Sequence, residues 1–364
     1  MRTWLQPCLA AASTFFLAIA LAGCDAARKI PGSGDTRRIT VYGTLEEHRA
    51  ARLLASFEQR HPGIRVDYQR RDSALTYQQF ISDESLGLPA ADVVWNSSMS
   101  AQIKLINDGH SRPHRTRERR ALPSWSVWKD EGYAITSEAM IYAFNSNLVA
   151  SGDYPVTHEA LARFINENSA TLQGKIGILD LETNEIAFMG YSQDLIASRS
   201  AEGLYLAIAK TSPKVFETNR QLYEAVKQGD VSIAYNMLAS YPLGEDAPHV
   251  RPVMPTDYTL MISRVAFIPE RAPNPEQAAE FLDFLLSREA QTIIADERLG
   301  AVRLDVEDPT FRGRQFRPIR LGPSLLADFD QMRRERLLGQ WKASLHAATS
   351  DLNRPRPRPD SREE

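Results

Sequence analysis

The side chains of this 364-residue chain that could do chemistry gather where apolar runs end. Tyr235 and Tyr241 stand six positions apart just past the run Val231–Tyr235, and a phenol there can bind ferric iron, stack on a sugar or cap a core. Short hydroxyl- and amide-bearing groups follow other runs: Gly43-Thr44, Asn96-Ser97-Ser98, Thr183-Asn184 and Asn236. Where such a group also opens a helix, free N–H groups and the positive end of the helix dipole suit an anion. The same Thr, Ser or Asn also serves as an ordinary cap, and the two roles are compatible. Arg70 and Arg71, at the end of a strand, and the hydroxyl of Ser240 add charge and a donor nearby.

Enzyme chemistry finds little support. Gly190-Tyr-Ser192-Gln-Asp194 lacks the second glycine of a nucleophile elbow, no H-E-x-x-H occurs, and seven histidines are scattered without ligand spacing. No glycine-rich phosphate loop follows the first strand. The only cysteines are Cys8 and Cys24, both near the N-terminus, so the body of the chain has no thiol for catalysis, disulfide or metal.

The elements that must position these residues alternate. Ile39–Gly43 reads as a strand, and Leu45–Gln59 as a helix with Leu53, Leu54 and Phe57 on one face, stopped by His61-Pro62-Gly63. Strand Ile64–Tyr68, a helix carrying Tyr77, Phe80 and Ile81 to near Gly87, strand Ala91–Trp95 and a helix through Ile106 follow. A second alternating set begins past Leu148. It has a helix from Thr157 to Ile165, strand Lys175–Leu179, a helix opened by Thr183-Asn184, a capped helix after Thr218 and strand Val231–Tyr235. Tyr258–Ile268 reads as one long strand, Pro273–Leu286 as a helix and Leu325–Leu345 as a terminal helix. Alternation of this kind predicts an α/β protein with largely parallel sheets. In such sheets a ligand lies beyond the carboxyl ends of the strands, which turns Thr44, Asn96, Ser97, Ser98, Thr183, Asn184 and Asn236 toward it.

Charge and the chain ends bound the partners. Net charge is −3, with nothing that calls for nucleic acid; the basic stretch Arg112–Arg120 reads as a solvated loop face or a docking surface for an acidic partner. Residues 1–23 form a short apolar leader that ends in Leu-Ala-Gly before Cys24, the pattern of a lipoprotein signal with lipid on Cys24. Residues 24–37 read as a tether and 351–364, with proline at alternate positions, as a disordered tail.

These motifs, taken in order, resemble the bacterial extracellular solute-binding proteins of the ferric-iron type, receptors of ABC importers. The likeness rests on Phe57-Glu-Gln-Arg-His-Pro-Gly-Ile64, Ala91-Asp-Val-Val-Trp95, Gly174-Lys-Ile-Gly177, and Leu260–Ile268 followed by Pro275–Leu285. The resemblance implies a two-lobed type II periplasmic-binding-protein fold with a ligand cleft and two hinge crossings. Lobe one would hold residues 38–143 and 258–350 and lobe two 144–245. The crossings would fall near Ile141–Asn145 and Tyr241–Asp257, with 246–257 as the return. It further implies a monomer without cofactor on the periplasmic face of the inner membrane, held by its lipid and partnered by a membrane permease. A sensor subunit for a membrane kinase would use the same fold. Iron binders of this family carry adjacent tyrosines and a histidine after the first strand. Here the set would be Tyr235, Tyr241 and His48, neither adjacent nor in register. The expected ligand is therefore a small organic anion such as a phosphorylated sugar, met by Tyr235, Asn236, Tyr241 and the helix openings through hydroxyls and little formal charge, with Tyr241-Pro242 also marking the hinge.

Overall fold

The computed structural model describes residues 37–352 apart from 89–90, 150–151, 153, 245–246, 309–310 and 312–315. The leader, Cys24, nearly all of the tether and the tail beyond 352 lie outside the described residues.

The chain opens with β1 (Arg37–Gly43), α1 (Glu47–Arg60), β2 (Ile64–Arg70), α2 (Ser73–Ser85), β3 (Val93–Asn96) and α3 (Met99–Asn107). β4 (Val127–Trp128), β5 (Gly132–Ala134) and β6 (Glu138–Asn145) follow. Next come α4 (His158–Glu167), β7 (Ile176–Leu179), α5 (Glu185–Ala197), α6 (Ala201–Lys210), β8 (Lys214–Phe216), α7 (Asn219–Gln228), β9 (Ile233–Leu238) and α8 (Ser240–Gly244). β10 (Val250–Val253), β11 (Leu260–Ile262), β12 (Val265–Phe267), α9 (Pro275–Leu286), α10 (Arg288–Asp296), β13 (Arg317–Pro318) and α11 (Gln331–Leu352) complete the described chain.

Two sheets result, each with its own core. The first runs β2-β1-β3-β12-β5-β4, and the second β13-β11-β6-β9-β7-β8 with β10 paired to β6. β1 lies parallel to both β2 and β3, and β7 parallel to β8 and β9, as strands joined through helices must. On α1, Ala50, Leu53 and Phe57 recur at three- and four-residue spacing and are fully buried. Phe57 meets Phe281 of α9 edge to face at 4.9 Å in the first core. The second core closes around Phe144, Leu161, Ile178, Leu204, Leu222 and Ile233. Its helices start where small polar residues cap them: Thr157 accepts from Ala160 N, Asn184 from Ala187 N, and Thr218 forms a reciprocal capping box with Gln221.

The chain passes between the sheets at places other than those expected. β5 belongs to the first sheet and β6 to the second, so the outward crossing is Ile135–Ser137 and all of β6 is second-sheet strand. The return is Ser263–Arg264, which breaks the expected long strand 258–268 into β11 in one sheet and β12 in the other. Residues 246–257, expected as the return, instead contain β10, antiparallel to β6. The two crossings are laced together: Ile135 N donates to Arg264 O at 2.8 Å and Arg264 N to Thr136 Oγ1 at 3.0 Å.

The terminal helix also differs from its expected place with lobe one. Leu337 and Trp341 of α11 are buried in the second core, with Trp341 edge-on to Tyr205 of α6 at 6.1 Å. Four-residue spacing puts both on the face that α6 covers. Before α11, the 3₁₀ turn Pro323–Phe329 carries buried Asp328, which accepts from Ser100 of α3 at 2.7 Å and from Ser192 of α5 at 3.1 Å. The basic stretch is fastened rather than loose: Thr116 and Arg117 donate to Asp283 of α9 at 2.6 and 3.2 Å.

Candidate functional site

Five helix N-termini, those of α1, α2, α3, α5 and α7, meet at one cavity between the sheets. Its volume is about 100 Å³, and it is partly open to solvent. The sheet geometry explains the convergence, because β1, β3, β7, β8 and β9 all point their carboxyl ends at it. Gly43 ends β1 directly under the ring of Tyr68; a Cβ there would come within 2.3 Å of that ring, so the turn into the site needs glycine.

Thr44 is an organiser rather than a cap. α1 is preceded by Glu46, which makes no side-chain capping bond, and Thr44 turns inward instead. Its Oγ1 accepts from Ser97 N at 3.1 Å and from Arg264 Nη1 at 3.0 Å and donates to Ser97 Oγ at 3.2 Å. Ser98 precedes α3, likewise without a capping bond, and its hydroxyl donates across the cleft to Glu185 at the start of α5. Asn96 holds this turn from behind, accepting from Ser98 N and donating to Ser73 O at 3.1 Å. Thr183 and Asn184 line the opposite wall. Thr183 donates to Asp180, and Asn184 both caps α5 and donates to Glu217 O. The two walls therefore differ: α5 and α7 cap themselves, whereas α1 and α3 leave their first N–H groups without a side-chain partner.

The cleft is more charged than the sequence suggested. Arg70, Arg71 and Arg264 line it together with Glu46, Asp72, Glu185 and Glu217. Arg70 pairs with Glu46 at 3.3 Å, and the Arg71 guanidinium lies 3.3 Å from the centre of the Tyr42 ring. Arg264, only 5% exposed, sits at the return crossing with Nε 2.9 Å from Oε1 of Glu138, itself 1% exposed. Glu138 also accepts from Ser240 Oγ at 2.7 Å. Arg49 of α1 reaches the same region and donates to Ser240 O and Glu297 O. Burial would lower the Arg264 pKa, but Glu138 and the nearby phenols of Tyr241 and Tyr68 raise it above the ordinary arginine value. For Arg49, burial and repulsion from Arg264 prevail over the attraction of Glu138, and the pKa is lowered. Arg264 thus pairs directly with the buried carboxylate of Glu138, while Arg49 is drawn by both Glu138 and Glu297. Sequence reading missed Arg264, Glu138 and Arg49; the one available signal was an arginine inside the apolar run 258–268.

Tyr235 and Asn236 are not at the cavity. Tyr235 is 1% exposed, and its hydroxyl donates to Asp194 at 3.0 Å. Asn236 donates to the same carboxylate and to Tyr205, both at 2.9 Å, while Tyr205 and Tyr258 also donate to Asp194. The reason is strand length. β9 continues to Leu238, three residues past its expected end, so the residues that reach the cleft are Leu238 and Tyr241. Asn236 keeps its inward turn with a φ of 55°, a left-handed conformation that asparagine tolerates. Tyr241, expected as a ligand contact close to the hinge, lies in α8 and lines the cleft.

The iron set is separated in the same way. Tyr241 and His48 line a second cavity beside the first, but Tyr235 stays with Asp194. Among the described residues, no three His, Cys, Asp or Glu side chains gather as a metal site. No described helix is long and apolar enough to cross a membrane.

Two α/β lobes joined by paired crossings, with a polar cavity between them, define a receptor that encloses a small ligand. Residues 39–297, more than half of the chain, match the family model described as bacterial extracellular solute-binding protein, and the chain belongs to that family. Among solved structures it is similar to the substrate-binding protein of an ABC transporter from Agrobacterium tumefaciens. The two are 28% identical over 86% of this chain and 96% of that one, with a TM-score of 0.79. It shares its fold with iron-bound HitA from Pseudomonas aeruginosa (16% identity, 85% and 99% covered, TM-score 0.66). The same holds for AfuA from Actinobacillus pleuropneumoniae with fructose-6-phosphate bound (16% identity, 85% and 98% covered, TM-score 0.64). No curated protein matches the chain significantly.

Proposed function

We propose that the chain is the receptor of an ABC importer, a binding protein and not a catalyst, and that it captures a small organic anion, a phosphorylated sugar or a related compound, by closing its lobes. The observation that carries this reading is the guanidinium of Arg264, buried at the cleft beside Thr44 with Glu138 as its partner, together with Arg70 and Arg71 on the same lining. A phosphate or carboxylate can take charge-assisted hydrogen bonds from such guanidinium groups. The uncapped N-termini of α1 and α3 lie beside them, with Thr44 and Ser97 on the lining. AfuA, of the same fold, is known with fructose-6-phosphate, which fits the same class. HitA holds iron, but here the expected phenolate pair is split, with Tyr235 bound to Asp194. In the cell the receptor is held by lipid on Cys24 at the periplasmic face of the inner membrane and delivers its ligand to a permease.

The test is a thermal-shift screen of the purified protein against sugar phosphates, phosphoglycerates, small dicarboxylates and ferric salts. A bound ligand at a hundredfold excess over its Kd stabilises by about 2.7 kcal/mol and raises the melting temperature. Stabilisation by a sugar phosphate supports the reading. A coloured ferric complex, with no response to any organic anion, would falsify it.

A further inference from the structure

The chain passes between the lobes again after the paired crossings, at the junction of the 3₁₀ turn Pro323–Phe329 and α11. The turn belongs with lobe one. Leu321 and Leu325 are buried in the first core, and the Phe329 ring lies 5.8 Å from that of Tyr77 on α2. α11 belongs with lobe two, where Leu337 and Trp341 enter the second core. Its basic side chains fasten the loop before α5: Arg334 donates to Glu182 O at 2.8 Å, and Lys342 Nζ lies 2.8 Å from the Glu182 carboxylate. Asp330 separates the two segments.

Asp328, 7% exposed, spans this junction with its two oxygens. Oδ2 accepts from Ser100 Oγ of α3 at 2.7 Å, on the lobe-one side. Oδ1 accepts from Ser192 Oγ of α5 at 3.1 Å and from Arg333 Nη1 of α11 at 3.0 Å, both on the lobe-two side. Arg333 Nη2 also donates to Ser192 Oγ at 2.6 Å, so the lobe-two donors hold each other in place. α3 and α5 are the helices that begin at opposite walls of the cleft, where the Ser98 hydroxyl meets Glu185.

A buried carboxylate needs its donors, and hydrogen bonds to a charged group are the stronger kind. Turning lobe two away from lobe one draws Ser192 and Arg333 off Oδ1 while Ser100 stays on Oδ2. Closing restores both. The bonds to Asp194 lie inside lobe two and are unchanged by the same motion.

We propose that Asp328 is a positioning residue of the receptor, a latch behind the cleft that holds α3 and α5 at their closed spacing before a ligand arrives. The latch acts whichever ligand the cleft accepts.

Small-angle scattering of the purified, ligand-free protein tests the latch against three variants. Asp328→Ala removes both halves of the junction, and Ser192→Ala removes one lobe-two donor. Tyr235→Phe removes a bond to a buried carboxylate inside lobe two and is the control. The closed-to-open ratio should fall about tenfold in Asp328→Ala, the value of one charge-assisted bond, and about threefold in Ser192→Ala, each seen as a larger radius of gyration. Tyr235→Phe should lower the melting temperature and keep the parent radius. Equal radii for the parent, Asp328→Ala and Ser192→Ala would overturn the latch, because the carboxylate would then only stabilise the fold. Expansion of Tyr235→Phe to the same degree would overturn it as well, since lost stability alone would then open the lobes. If Asp328→Ala does not fold, Ser192→Ala set against Tyr235→Phe decides by the same two outcomes.

Discussion

Helix α5 carries two acidic residues nine positions apart that live in opposite surroundings. Asp194 lies inside the second lobe and receives hydrogen bonds from Tyr205, Tyr235, Tyr258 and Asn236. Glu185, at the helix start, reaches across the cleft to the single hydroxyl of Ser98. Burial raises the pKa of both. The inner cluster is saturated, with every donor aimed at one acceptor. The cleft around Glu185 and Arg264 instead gathers arginines and carboxylates from both lobes on one solvent-open lining. A ligand is bound where the protein's own groups do not satisfy each other, and the tyrosine-rich cluster, for all its chemistry, has nothing left to offer one.

The comparison breaks most visibly at Asp194. Asp194→Ala leaves three phenols without their acceptor and the Asn236 amide with Tyr205 alone, which should cost on the order of 3–5 kcal/mol. The melting temperature should fall sharply in a thermal scan, yet the added stabilisation from a bound anion should survive. Loss of ligand response in a variant that still folds would mean that Tyr235 and Asn236 act on the cleft after all.

Arg264 should show the reverse pattern. Arg264→Gln keeps a donor toward Thr44 but removes the buried charge, and the affinity for any phosphate ligand should fall about a hundredfold, or about 2.7 kcal/mol. Its melting temperature should fall less than that of Asp194→Ala, since Glu138 keeps the hydroxyl of Ser240 and the charge of Arg49 nearby. Titration calorimetry on the two variants tests whether saturation and function separate. Thr44→Val is the milder probe of the same wall. It deletes the oxygen that joins Arg264 to Ser97 and should weaken binding about tenfold with little change in stability.

Much of the architecture could be read in advance because local rules dominated it. Strand and helix alternate in the first hundred residues with clean periodicity, and Thr157, Asn184 and Thr218 start the helices that their side chains cap. The cleft residues Thr44, Ser97, Ser98, Thr183 and Asn184 follow from one topological rule, that ligands lie beyond strand ends. Tyr235 and Asn236 obey the same rule and were misplaced because apolar character does not announce where a strand stops; Met237 and Leu238 extend β9. The return hinge was hidden for the same reason, as Leu260–Ile262 and Val265–Phe267 are equally apolar on either side of Ser263-Arg264. The floor was least visible. Glu138 and Arg264 meet across 126 residues, and Arg49 and Ser240 across 191, so their meaning arises only from the assembled fold. Helix α6 escaped notice, although it supplies Tyr205 to the Asp194 cluster and the surface on which α11 packs.

Glu185 offers the finest test of the comparison, through pH. Its pKa in the closed cleft is raised by burial, against the pull of the Ser98 hydrogen bond and of Arg334, while an opened cleft would return it toward the ordinary carboxylate value of 4.5. A carboxyl group whose pKa is higher in the closed state takes up a proton on closing. Its contribution to closure is therefore full below the ordinary value and is lost as pH rises through the raised value. Small-angle scattering without ligand, from about pH 4 to about pH 7, should show the protein becoming less compact as pH rises. Glu185→Gln stays neutral and keeps a hydrogen-bonding partner for Ser98, so it should remain compact across the range. Asp194 experiences the same upward push from burial but is enclosed in one lobe in either state, so its titration leaves the closing equilibrium unmoved. If Glu185→Gln opens with pH as the parent does, the pH response belongs to some other group, and Glu185 is only a helix-terminal carboxylate. If the response disappears, the same helix carries one acid that holds a lobe together and another that senses whether the cleft is shut.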